Sequence, residues 1–193
     1  MMQPDIETFY PKTRDDWRQW LISNHALAKG VWLLQYKKAT GVPTISWSEA
    51  VDEALCFGWV DSIRRSVDEN SFVQFVGPRK PTSTWSKINK DKVKQLTADG
   101  LMHPAGQAVI DIAKKNGSWT ILDTVEEIKI PKDLTAAFKG KPAAKRYFTS
   151  LSRSVKKRLL HWLITAKRPE TRQKRIDELT DLAAQKTLPK QFL

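Results

Sequence analysis

The chain has 193 residues, 40% of them apolar and 28% charged, with 33 Lys and Arg against 21 Asp and Glu. That length closes one ordinary core, or one core and a helical appendage, and excludes both a short peptide and a large multidomain machine. The net charge of +12 predicts anionic partners or plain solubility and does not choose between them. A single cysteine, Cys56, excludes an internal disulfide framework, and residues 1–5 have neither a basic nor an apolar leader character. A reducing cytoplasm is therefore expected. No apolar run reaches membrane-spanning length.

The charge is concentrated. Residues 1–100 hold 14 basic and 12 acidic side chains, whereas residues 139–175 hold 13 basic ones and a single acid, Glu170. Such clustering reads either as an electrostatic footprint for a polyanion or as solvation of outward helix faces.

In chain order, Thr13 and Asp16 mark a helix start, and Trp17, Trp20, Leu21, Asn24 and Ala28 follow at helical spacing until Gly30. Residues 31–36 are β-branched and aromatic, a buried strand. Ser46 and Glu49 form a capping box, behind which Trp47, Ala50, Val51, Ala54 and Leu55 trace one helix face ended by Gly58. Residues 60–67 and 72–76 flank the turn-forming residues 68–71, which predicts an antiparallel hairpin. From Thr82 onward the period is helical, broken at Gly100, at His103 and Pro104, and at Asn116 and Gly117; Ala105, Ala108, Val109, Ile112 and Ala113 make a buried stripe. Residues 123–131 read as a linker, and 134–138, 144–151, 155–166 and 170–184 as four helices.

Familiar catalytic motifs are absent. There is no Gly-rich phosphate loop, no nucleophile elbow and no Cys/His ligand cluster, and His25, His103 and His161 lie far apart in sequence. No metal and no cofactor are expected. Ser154 followed by Lys157 matches a penicillin-binding pattern, but its companion motifs are missing, and a helix N-cap explains the serine. Asn116, Gly117 and Ser118 spell a glycosylation sequon that reads better as a helix C-cap. Glu49, Asp52 and Glu53 share a helix side, a spacing that suits a cation or a solvated face.

Two groups of residues are candidates for binding. The first is Trp59, Asp61, Ser62, Arg79, Lys80, Trp85 and Asn89, because the hairpin brings Asp61 and Arg79 together between indole walls, a mix suited to an anionic or planar ligand. The bland alternative is tryptophan core with Asp61 paired to an arginine. The second is Lys156 and Lys157 with Arg168, Arg172 and Arg175, the three arginines lying along one line of a helix as a ridge that grips phosphates. Neither set supplies a nucleophile beside a base, so no catalytic residue is assigned and a non-enzymatic role is preferred.

Residues 47–62, Pro78, Arg79 and Lys80, residues 85–89, and in the tail residues 148–154, 162–172 and 175–176, resemble the YdeI/OmpD-associated family of bacterial proteins. The tail segments resemble its bacteriocin-protection module. The resemblance implies a role in resistance to bacteriocins or cationic antimicrobial peptides and association with an outer-membrane porin; it implies no catalytic residue. Charge argues against direct capture of a cationic peptide by a chain of +12 and for an anionic partner: an acidic protein surface, nucleic acid or anionic lipid. Tryptophan-rich surfaces also allow a homo-oligomer.

The fold expected is α+β: a small antiparallel sheet of about three strands with surrounding helices over residues 1–122, then a basic all-helical module over 132–193. The function expected is binding of an anionic partner; the alternatives are nucleic-acid binding without base readout, and a small-molecule enzyme or sensor at the Trp/Asp/Arg pocket.

Overall fold

A computed structural model describes residues 6–193, so the leaderless reading of residues 1–5 lies outside the described residues. The chain divides into two compact units, one ending at Trp119 and the other running Thr120–Leu193. The first is mixed α and β; the second contains only helices among the described residues.

β2 (Val31–Tyr36), β3 (Trp59–Ser66) and β4 (Ser71–Pro78) occupy the three runs marked by β-branched and aromatic residues. β4 lies between the other two and is antiparallel to both. Asp68 closes the hairpin, since its Oδ1 accepts from the amides of Asn70 and Ser71 at 2.7 Å each and from Ser71 Oγ at 2.8 Å. A register shift between Asp61 and Arg64 bends β3, as an extra residue in one strand does. β1 (Thr8–Phe9) adds a fourth strand parallel to β2, giving the order β1-β2-β4-β3. Two residues are too few to show an alternation, so this strand leaves no signal in the sequence.

Short polar side chains fix the helix starts. α1 (Arg14–Asn24) and α2 (Trp47–Cys56) open with reciprocal capping boxes, Thr13 with Asp16 and Ser46 with Glu49. α3 (Lys87–Ala98) is capped by Ser86, and α4 (Pro104–Asn116) by the imidazole of His103, whose Nδ1 accepts from the Ala105 amide at 3.2 Å. α1 ends at Asn24 and does not run on to Gly30; the Asn24 carbonyl then accepts from the amides of Leu27 and Ala28 in a following turn.

In the core of the first unit, Trp17 and Leu21 of α1 meet Ala50, Val51, Ala54 and Leu55 of α2 over Val31, Leu33 and Val76 of the sheet. Two expected faces are rotated. The buried positions of α4 are Gly106, Ile110 and Ala113, and Ile112 is exposed. The cause is Gly106, where any Cβ would collide with the Cys56 carbonyl; the two backbones touch there and the helix turns to let them. Trp47 is 44% exposed and donates its indole N–H to Asp61 at 3.0 Å instead of entering the core.

The second unit comprises α5 (Asp123–Glu126), α6 (Lys132–Lys139), α7 (Pro142–Ser150), α8 (Arg153–Ile164) and α9 (Pro169–Ala184). Their core is Leu134, Phe138, Phe148, Leu159, Leu163, Ile176 and Leu179. Part of the expected linker at 123–131 is the short helix α5, which packs on α8. The cap of α8 is Ser152, not Ser154: its Oγ accepts from the Val155 amide at 3.3 Å. Serines two residues apart offer the same local chemistry, and the packed register of Leu159 and Leu163 selects the first.

Glu53 corrects a further expectation. It is 1% exposed, held by Arg14 and by Arg18 at 2.7 Å, and Arg18 also donates to the Leu101 carbonyl at 2.9 Å. A carboxylate this deep persists only when paired, and removing it leaves two guanidinium groups without a counter-charge. Glu53→Gln is therefore expected to cost about 2–3 kcal/mol in urea unfolding followed by tryptophan fluorescence. A loss below about 0.5 kcal/mol would show the pair to be dispensable.

Candidate functional site

At the end of β4 the Arg79 amide donates to the Gly58 carbonyl at 3.0 Å, which sets the side chain against Trp85. The guanidinium carbon lies 3.9 Å from the Trp85 ring centroid. Nη1 donates to the Thr84 carbonyl at 3.0 Å. Nε and Nη2, and the indole N–H of Trp85, are buried without an acceptor among the described residues. Arg79 is 6% exposed, and burial pulls its pKa down to about 10 against the opposing field of Asp61. Trp119 rests on Trp85 with centroids 4.8 Å apart, and the Lys114 ammonium lies 5.5 Å from the Trp119 ring. Two orphaned N–H groups on a buried cation are a costly arrangement, and such groups concentrate at sites that take a ligand.

Of the seven residues expected here, the structure joins Arg79 to Trp85, and Asp61 reaches Arg79 only through its field. Asp61 itself accepts from Trp47. Trp59 is core: its indole N–H donates to the His25 carbonyl at 3.3 Å, and its ring meets Trp20 edge-on at 5.8 Å. Ser62 and Lys80 are exposed, and the Asn89 amide belongs to the cap of α3, donating to Ser86 at 3.2 Å.

In the second unit most of the expected cations are tied inward. Arg172 grips Asp133 with Nε at 2.6 Å and Nη2 at 3.1 Å, and gives Nη1 to the Leu163 carbonyl at 2.9 Å. Hydrogen bonding from Arg172 to Asp133 is the main cause holding that carboxyl below its usual range. Arg175 donates to the Trp162 carbonyl and lies 5.1 Å over the Trp162 ring. Lys156 donates to the Thr149 carbonyl at 2.6 Å, and Lys157 pairs with Glu126. Arg168 is exposed, at the N-cap of α9, with no hydrogen bond or ion pair from its side chain. Thus Arg172 and Arg175 close the C-terminal end of α8, a role that a helical line of arginines does not reveal.

Composition hid a second cluster in the first unit. Beside the ion pairs of Glu53, Phe57 stacks on His103 at 4.6 Å, His25 and His103 meet at 4.9 Å, and Arg18 lies 5.5 Å over Phe57. Cys56 is fully buried next to Glu53, and desolvation first, then that carboxylate, push its thiol up to about 11. A thiol so placed is no nucleophile. Among the described residues no group of three or more His, Cys, Asp or Glu is placed to hold a metal ion, and no helix is long and apolar enough to cross a membrane. The His103-Pro104 pair was legible as a helix boundary; its contact with His25 was not.

Residues 9–109 match the family described as "Domain of unknown function (DUF8412)", and residues 127–186 match the one described as "Bacteriocin-protection, YdeI or OmpD-Associated". No curated protein and no solved structure matches the chain.

His103 caps α4 only while Nδ1 is unprotonated. Burial, followed by the fields of His25 and Arg18, holds its pKa below the ordinary 6.5. The unfolded chain then takes up the proton more readily, so the stabilisation is complete above about pH 6.5 and is lost as the pH falls through the folded-state value. The urea midpoint should drop between about pH 7 and about pH 5 by more in the parent than in His103→Asn, which caps without titrating. Identical slopes would refute the assignment.

Proposed function

Since this chain belongs to the family described as a domain of unknown function, DUF8412, and carries a C-terminal module of the bacteriocin-protection, YdeI or OmpD-associated family, we propose that it is a non-enzymatic binding protein whose basic C-terminal unit engages an anionic partner. The observation that carries the reading is charge: residues 120–193 hold 17 basic and 8 acidic side chains. Lys139, Lys145, Lys167, Arg168 and Lys174 are exposed, with no ion-pair partner for their side chains among the described residues. Affinity for a polyanion comes from releasing its counterions, which needs outward, unpaired cations. Of the ridge expected along α9, Arg168 serves this role, while Arg172 and Arg175 hold the module together. Tolerance of bacteriocins or cationic antimicrobial peptides runs, in this reading, through the anionic partner, because a positive unit repels the peptide itself. The surface is set out for contact with a backbone of phosphates or carboxylates and carries no base-reading element.

The test is titration of the full chain against mixed-sequence duplex DNA and against phosphatidylglycerol vesicles, at low and physiological salt. Charge reversal to Glu at Lys139, Lys145, Lys167, Arg168 and Lys174 should weaken binding by at least about tenfold while unfolding stays unchanged. Unaltered binding would overturn the reading. Reversal at Arg172 is expected to destabilise the unit by about 1–3 kcal/mol, since it breaks a forked ion pair and frees a helix-end carbonyl, so it is no test of the surface.

A second reading is favoured by the orphaned N–H groups of Arg79: a small anionic or planar ligand taken at Arg79 and Trp85 in the first unit. Arg79→Met fills similar volume without the buried charge. It should leave stability equal or higher while abolishing any ligand-induced thermal shift in a screen of small organic anions. A shift that persists in the variant would remove Arg79 from the site.

A further inference from the structure

α7 presents Ala143, Arg146, Tyr147 and Ser150 along one face, and these line a cavity of about 340 Å³ together with Lys186, the residue that follows the C-cap of α9. Its chemistry is one-sided. Two cations and two hydroxyl-bearing side chains face it, with no carboxylate in the lining. The side chains of Arg146 and Lys186 and the Tyr147 hydroxyl form no hydrogen bond or ion pair with the described residues, unlike neighbouring Lys141, which is held by Thr180 and Asp181. Lys186 also sits at φ +58°, a left-handed conformation that glycine adopts freely and a lysine does not. Its amide, bonded to the Ala183 carbonyl, and that of Thr187, bonded to the Leu182 carbonyl, close the helix through backbone alone, so the termination makes no demand for a lysine side chain. Strain kept at such a position points to a task for the ammonium.

We propose that this cavity binds a small phosphate monoester. A dianion matches two cations; the Arg146 fork takes two oxygens, Lys186 supplies a point charge, and the Tyr147 hydroxyl donates to the remaining oxygen, while Ser150, whose hydroxyl donates to the Tyr147 carbonyl at 2.8 Å, only lines the wall. The Tyr147 ring walls one side, which favours an ester carrying a planar group. The site goes beyond the diffuse surface proposed above and does not rest on it, because it shares no residue with that charge-reversed set.

Calorimetric titration of the full chain with inorganic phosphate and with phenyl phosphate tests it. Both should bind, the aromatic ester more tightly. Arg146→Gln and Lys186→Gly should each lose at least about tenfold in affinity. Lys186→Gly should unfold at the same or a higher temperature, which separates a lost ligand from a lost fold; Lys186→Asn, also tolerant of the left-handed backbone, is the companion variant. Lys94→Gln, an equal change of net charge at an exposed lysine of α3 in the first unit, should change nothing. Affinity should fall below about pH 6, where the monoester dianion takes up a proton and becomes a monoanion. Absence of binding at millimolar phosphate, an equal loss in Lys94→Gln, or benzoate binding as well as phenyl phosphate would each overturn the proposal.

Discussion

Arginine side chains that donate to backbone carbonyls of helix ends and loops recur within each unit of this protein. Arg18 reaches the Leu101 carbonyl, Arg79 that of Thr84, Arg153 that of Glu126, Arg158 that of Gln191, and Arg172 and Arg175 those of Leu163 and Trp162. A helix leaves its last carbonyls without partners, and a long planar donor satisfies them from a distance that serine or asparagine cannot span. Several of the same groups lie over rings, Arg79 on Trp85 and Arg175 on Trp162, so one side chain provides a hydrogen bond and a cation–π contact together. The basic composition is thus partly a structural device.

That division sorts the charges by role. Guanidinium groups with intramolecular acceptors, Arg172 foremost, are held in place; exposed ammonium groups such as Lys167 and Lys174 face solvent. Held donors confer geometry, and solvent-facing ones confer long-range attraction that salt screens. Arg146 and Lys186 belong to neither class, being unpaired yet gathered around one hollow.

What could be read from the sequence was local. The two capping boxes, the Asp68 turn and the strand at Val31–Tyr36 follow from neighbours within four residues, and each stands where its residues announce it. What could not be read depends on partners far along the chain. Glu53 looks like part of a solvated acidic face until Arg14 and Arg18 arrive from α1, and α4 shows its stripe one step away from where hydrophobicity puts it because Gly106 meets Cys56. The Arg79–Trp85 pair was within reach, since a short turn at Pro81 joins them, but Trp59 was drawn into the same group by type when its indole in fact serves the His25 carbonyl. Arg146 and Lys186 carry no motif at all; only the packing of α7 on α9 brings them to one place.

The contact between Gly106 and the Cys56 carbonyl seals the chain's one thiol beneath α4. With its proton held to about pH 11, that thiol offers no thiolate to an oxidant or to a second copy while the helices stay together. Disulfide formation between copies therefore requires the first unit to open. A thiol-labelling reagent added to the native chain acts as a clock for the parting of α2 from α4, reading the opening of the first unit from a residue that evolution or chance has already installed.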